Sequence, residues 1–146
     1  MAEAVMRRLV DDRGLTGQVE VDSAGTGAWH VGDGADRRAV SALRGAGYDG
    51  SAHRARAFER RWFADRDLVV ALDGGHLREL HALATDEGER AKVRLLRAFT
   101  GDGADLDVAD PYYGDAADFA TVLDQVEQGC RAILDQLVRD GVVDPA

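Results

Sequence analysis

Residues 68–72, Leu-Val-Val-Ala-Leu, constrain the fold of this chain more than any other stretch. A strand with one face in water alternates apolar and polar residues, whereas a run that is apolar at every position has both faces covered, as in a parallel sheet with helices on either side. Asp73 ends the run and is placed to cap a helix from 74 to about 83, with Leu77, Leu80 and Leu83 on its inner side. Two further strands are expected. One is a short segment at 93–96, and the other spans 18–24, where Val19, Val21 and Ser23 alternate with Glu20 and Asp22.

Helices fill the intervals. Ala2, Val5, Met6, Leu9 and Val10 share one face at helical spacing, and Arg13-Gly14 supplies the stop. Met1 stands where a Ser, Thr, Asp or Asn should accept the first free amides, so this helix reads as cut from something upstream. A helix from about 36 to 46 turns Val40 and Leu43 inward and ends at Gly45 and Gly47, and 59–65 reads as a short helical turn. A long final helix follows Asp115, with Phe119, Val122, Leu123, Val126, Cys130, Ile133 and Leu137 on one face up to Gly141. Between these lie a glycine-punctuated loop at 25–34 with Trp29 and His30, an irregular stretch at 48–57 with His53, and a loop at 100–107.

Strands alternating with helices predict one α/β domain over 1–146, a three-layer sandwich whose mostly parallel sheet is flanked by helices on both faces. Ligands of such sheets bind beyond the carboxyl ends of the strands. Ser23 to Trp29, Asp73 and residues 110–114 all fall at that edge. Composition limits the partners: with 27 acidic against 18 basic side chains the net charge is −9, which argues against nucleic acid or an anionic membrane held by bulk charge. No charged-then-apolar leader opens the chain and the longest apolar run is too short to span a bilayer, so a soluble, cytoplasmic protein is expected. The single cysteine, Cys130, rules out an internal disulfide.

The stretch 108–115, VADPYYGD, carries the chemistry. Pro111 fixes its own φ and pushes Asp110 out of the helical region, so a carboxyl sits on a pre-set turn with Tyr112 and Tyr113 beside it. That suits a proton donor next to a flat substrate. Asp-Pro is also ordinary turn chemistry, and the residues alone leave both readings open.

Five separated stretches, MAEAVMRRLV, VDSAGTGAWHVG, AHRARAF, VVALD and DPYYGDAADFATVLDQVEQGCRAIL, resemble the low-molecular-weight protein-tyrosine phosphatases in order and spacing, in the bacterial form with Trp-His-Val-Gly and DPYYG. The resemblance implies a sheet of order 2-1-3-4 and a phosphate-binding loop of a cysteine, five residues and an arginine, leading into the helix that begins Met-Ala-Glu-Ala. No such loop occurs in these residues. The resemblance therefore implies a chain shortened at its N-terminus by about one strand and a turn, roughly fifteen residues.

On this resemblance Asp110 is the general acid, Trp29, Tyr112 and Tyr113 wall a pocket for an aryl phosphate, and Ser23, His53 and Asp73 support the phosphate loop. It implies a phosphotyrosine-containing protein as partner and neither a metal nor any other cofactor. Cys130, on the apolar face of the last helix, reads as a small core side chain and not as the nucleophile. Three rivals stand beside this reading. An arsenate reductase would need further cysteines, a phosphoarginine phosphatase would differ in the missing loop, and a non-catalytic remnant would only bind a partner.

Overall fold

The computed structural model describes residues 2–24, 37–48, 56–100 and 116–143, with the side chains of 37–40 and 116–119 outside that description. At its centre β1 (Val69–Ala71) pairs in parallel with β2 (Val93–Leu95), in the register Val69↔Val93, Val70↔Arg94 and Ala71↔Leu95. The uninterrupted apolar run around β1 has a direct cause, because successive side chains enter different cores. Val69 and Ala71 join Val93, Phe63, Leu80 and Ala84 on one side, while Leu68, Val70 and Leu72 pack on the larger core of the other. The protein is thus an α/β fold with helices covering both faces of a parallel sheet.

The smaller core is closed by α3 (Trp62–Asp65) and α4 (Gly74–Leu83). Within α4 the expected inner residue Leu83 is 36% exposed, and Ala84 takes the inner place at 4%. The stripe follows Leu80 by four residues and not three, so the final leucine rotates to the surface. Between α4 and β2 lies α5 (Glu87–Ala91), absent from the sequence reading. Asp86 caps it by accepting from the Glu89 amide at 2.7 Å, and Glu89 in turn accepts from the amide and hydroxyl of Thr85. The D-x-x-E spacing is that of a capping box, with the Glu89 side chain reaching Thr85, one residue before the cap.

The larger core is built from α1 (Ala2–Asp12), α2 (Arg37–Gly45), α6 (Ala116–Arg139) and a 3-10 helix at Leu96–Phe99. Val5, Leu9 and Val10 of α1 meet Val122, Leu123, Val126, Cys130, Ile133 and Leu134 of α6. Leu134 is fully buried, although the sequence reading passed it over. Helix α1 ends where expected. Gly14 takes φ +69°, its amide bonds to the Asp11 carbonyl, and the Leu15 amide returns to Val10 at 2.9 Å, the paired closure that only a residue at ease with positive φ permits. Gly47 and Gly141 close α2 and α6 in the same way.

Gly129 is required for a different structural reason. It is buried in the middle of α6, where glycine costs about 1 kcal/mol relative to alanine. A Cβ there would stand 2.5 Å from Cγ of Leu96, so only a bare backbone lets the 3-10 helix dock this closely.

The third strand expected at 18–24 does not form a ladder among the described residues. The amides of Gln18 and Val19 are both spent on the Leu15 carbonyl, and further on the carbonyls of Val21 and Ser23 accept from arginine side chains. The alternation still places Val19 and Val21 against the larger core. The 3-10 helix likewise replaces the final residue of the expected strand 93–96 and the chain that follows it. The capping of α1 by Met1, the loop 25–34, and the stretch 101–115 lie outside the described residues, as do the side chains of Val40 and Phe119.

Candidate functional site

Of the residues singled out from the sequence, Trp29, His53, Asp110, Tyr112 and Tyr113 lie outside the described residues. Ser23 and Asp73 lie within them. Asp73 follows β1 at its carboxyl end, the edge at which ligands of parallel sheets bind.

Ser23 is held through its backbone. Its carbonyl accepts from Nη2 of Arg56 at 3.3 Å, and two residues earlier the Val21 carbonyl accepts from Nη2 of Arg7, on α1, at 3.0 Å. Between them the Asp22 carboxylate pairs with Arg66 and lies 3.6 Å from Nη2 of Arg56. Both guanidinium groups also sit over the Trp62 ring, 5.2 Å and 4.4 Å from its centroid, a favourable placement of cation against π-face. Trp62 itself meets the Phe58 ring edge-on at 5.5 Å. The path to Ser23 is thus clamped by charge-assisted hydrogen bonds and stacked arginines. The sequence reading missed Arg56, Trp62 and Arg66. A visible signal was available, since residues 54–66 carry five arginines in a strongly acidic chain.

Asp73 takes extended dihedrals, φ −146° and ψ 172°, and its Oδ1 accepts from the His76 amide at 2.8 Å. It is therefore the N-cap of α4. The same oxygen lies 3.6 Å from Nδ1 of His76. Gly75 keeps this corner tight, for a Cβ there would stand 3.2 Å from Oδ1 of Asp73. The carboxylate is fixed as an acceptor at the sheet edge, which is a framework task.

Cys130 is 2% exposed in the inner stripe of α6, and burial pushes its thiol up to about 12. A thiol so placed stays protonated at neutral pH and cannot be approached by a phosphate ester. An open groove of about 820 Å³ runs along Asp11, Asp12, Arg13 and Asp135 at the other end of α1. It faces the negative end of that helix, and its three carboxylates outnumber the guanidinium groups of Arg13 and Arg139, so it does not favour a phosphate group. Among the described residues no three His, Cys, Asp or Glu side chains group to hold a metal ion, and no helix is long and apolar enough to cross a membrane.

Comparison with known proteins places these features in a family. The model of the low molecular weight phosphotyrosine protein phosphatases matches residues 1–143. A low molecular weight protein-tyrosine-phosphatase of Streptomyces coelicolor is 53% identical over 136 residues, covering 92% of this chain and 82% of the relative. Among solved structures, a protein tyrosine phosphatase from Entamoeba histolytica superposes with a TM-score of 0.88 at 29% identity, over 97% of this chain and 89% of that one. DARP, the drosophila arginine phosphatase, superposes at 0.84 with 30% identity, over 92% and 87%. The chain belongs to the low molecular weight phosphotyrosine protein phosphatase family.

Proposed function

We propose that this protein hydrolyses phosphotyrosine in a protein substrate through a phosphocysteine intermediate, with Asp110 as general acid and then general base. The observation that carries the reading is the family match over residues 1–143, within which Asp110 stands in the DPYYG stretch. In the first step a cysteine thiolate attacks phosphorus and the bond from phosphorus to the tyrosine oxygen breaks, while Asp110 gives that oxygen its proton. In the second, water attacks phosphorus and gives a proton to Asp110, and the sulfur–phosphorus bond breaks to release phosphate. Amides, an arginine and the N-terminus of α1 neutralise the phosphate oxygens, so the chemistry requires no metal.

Trp29, Tyr112 and Tyr113 wall the pocket and select a planar aryl phosphate. Ser23, His53 and Asp73 brace the phosphate loop, and the Arg56–Asp22–Arg66 clamp supports this assignment for Ser23. Cys130 is not the nucleophile, since it is buried with a raised pKa, and it is the one cysteine of these residues. The reacting cysteine and its arginine therefore belong to residues outside these 146. The identity with the Streptomyces relative supports assignment to the bacterial branch, and a reducing, cytoplasmic setting fits a thiolate enzyme.

A second reading has its own support in the likeness to the drosophila arginine phosphatase, under which the substrate is phosphoarginine. Hydrolysis of phosphotyrosine and phosphoarginine peptides by protein purified from its own cells decides between them. The proposal expects kcat/KM to favour phosphotyrosine; a preference for phosphoarginine replaces it with the second reading, and absence of both activities leaves only a binding role.

A further inference from the structure

Val19 and Val21 seat the segment 18–24 on the larger core, and arginine side chains hold its backbone. Arg56 makes the contact nearest the end of that segment, from Nη2 to the Ser23 carbonyl at 3.3 Å, and the same nitrogen lies 3.6 Å from Oδ2 of Asp22. One guanidinium thus reaches two successive residues, a task that its fork of donors suits and the compact ammonium of a lysine does not. A long, exposed side chain gives up rotamer freedom to make such contacts, so it holds a backbone firmly only where it is itself fixed.

Arg56 is fixed on two sides. Its guanidinium lies over the Trp62 ring, 5.2 Å from the centroid, and the Asp22 carboxylate balances its charge. Trp62 is in turn tied to the smaller core. Its ring meets Phe58 edge-on at 5.5 Å, Phe58 meets Phe63 at 5.0 Å, and Phe63 is fully buried with its carbonyl accepting from Nζ of Lys92 at 2.6 Å. Arg66, over the same indole at 4.4 Å, takes the other pairing of Asp22. Every link from Phe63 to the Ser23 carbonyl is therefore a direct contact, and the series joins the smaller core to a segment whose valines belong to the larger one.

We infer that Arg56 is a positioning residue for Ser23: stacked on Trp62 and paired with Asp22, it sets where the Ser23 backbone lies and hence where the hydroxyl is presented. The inference rests on the reading of Ser23 as a brace of the phosphate loop. A purely structural arginine would lower the rate by the same factor with or without the Ser23 hydroxyl. One that acts through Ser23 loses its effect when that hydroxyl is gone, so a double-mutant cycle separates the two roles.

The test measures steady-state hydrolysis of a phosphotyrosine peptide by the full-length natural enzyme and its variants. Ser23→Ala and Arg56→Ala are each expected to lower kcat by about tenfold, and the double variant to fall no more than about twofold below Ser23→Ala alone. Arg60→Ala, on the same arginine-rich stretch but bonded to the Thr85 hydroxyl, leaves kcat within about twofold in either background. Losses that multiply in the double variant, or no loss in Arg56→Ala, overturn the inference. Ser23→Ala without effect also overturns it, and a selective loss in Asp110→Asn then leaves the proposed reaction standing. A wild-type enzyme inactive on phosphotyrosine removes the reaction and the inference together. Should Arg56→Ala fail to fold, Asp22→Asn, which frees Arg56 without removing it, must show the same dependence on Ser23, and a loss that multiplies overturns the inference.

Discussion

At the scale of single residues, two side chains of opposite setting bear on the proposed chemistry, one as the acid and the other as a core residue. Asp110 stands before a proline in a polar, aromatic stretch, whereas Cys130 is enclosed among Val126, Ile133 and Leu134. Asp110→Asn in the active form is expected to lower kcat on phosphotyrosine by about 10²- to 10⁴-fold with little change in KM, measured by steady-state phosphate release. For aryl phosphates with acidic leaving groups the loss should shrink, because those oxygens need little protonation.

Cys130 makes a different prediction, for stability. Its thiol titrates at about 12 in the folded protein against an ordinary 9.0, so the folded state holds the proton more tightly than the unfolded chain does. The stabilisation is complete below pH 9.0 and is lost as the pH rises towards 12, at about 1.4 kcal/mol per pH unit. Urea denaturation between pH 8 and 10.5 checks this by comparing the wild type with Cys130→Ala, whose decline over that range should be shallower. Cys130 was legible as a core residue from helical spacing alone. The clamp of Arg56, Trp62 and Arg66 on Asp22 was not, because it joins residues far apart in sequence and only the fold brings them together.

At the scale of elements, local signals decided what could be read. Helices α1, α2 and α6 carry apolar stripes and end at glycines with positive φ, and all three follow from spacing and punctuation. Asp73 is the clearest cap, and its loss should cost about 1 kcal/mol. In thermal or urea unfolding Asp73→Ala should show that loss while Asp73→Asn, which keeps the acceptor, shows little of it. Equal effects of the two would mean that the charge and not the cap bond supplies the stability. The segment 18–24, expected as a strand, forms no ladder among the described residues for a complementary reason: alternation reports which side chains face the core, and Val19 and Val21 do, but a ladder depends on a partner that alternation cannot supply. The turn at α5 and the 3-10 helix were too short to leave a periodic signature.

At the scale of the whole molecule, one apolar pentapeptide organises the architecture. Because residues 68–72 feed two cores in alternation, the sheet must lie between two helical layers, and the carboxyl end of β1 must open on Asp73. This much of the fold was present in the sequence. The proposed reaction needs a reactive thiolate, and the chain's single cysteine, Cys130, is only 2% exposed in the inner stripe of α6. Under the proposed function Asp110 is the acid, Ser23, His53 and Asp73 are framework, and the nucleophile is a residue other than Cys130.

The most direct test is to mix the protein purified from its own cells with a phosphotyrosine peptide, quench within milliseconds, and locate the trapped phosphate by mass spectrometry. The account predicts a phosphocysteine on a residue other than Cys130. Phosphate on Cys130, or turnover with no phosphocysteine at all, would contradict it.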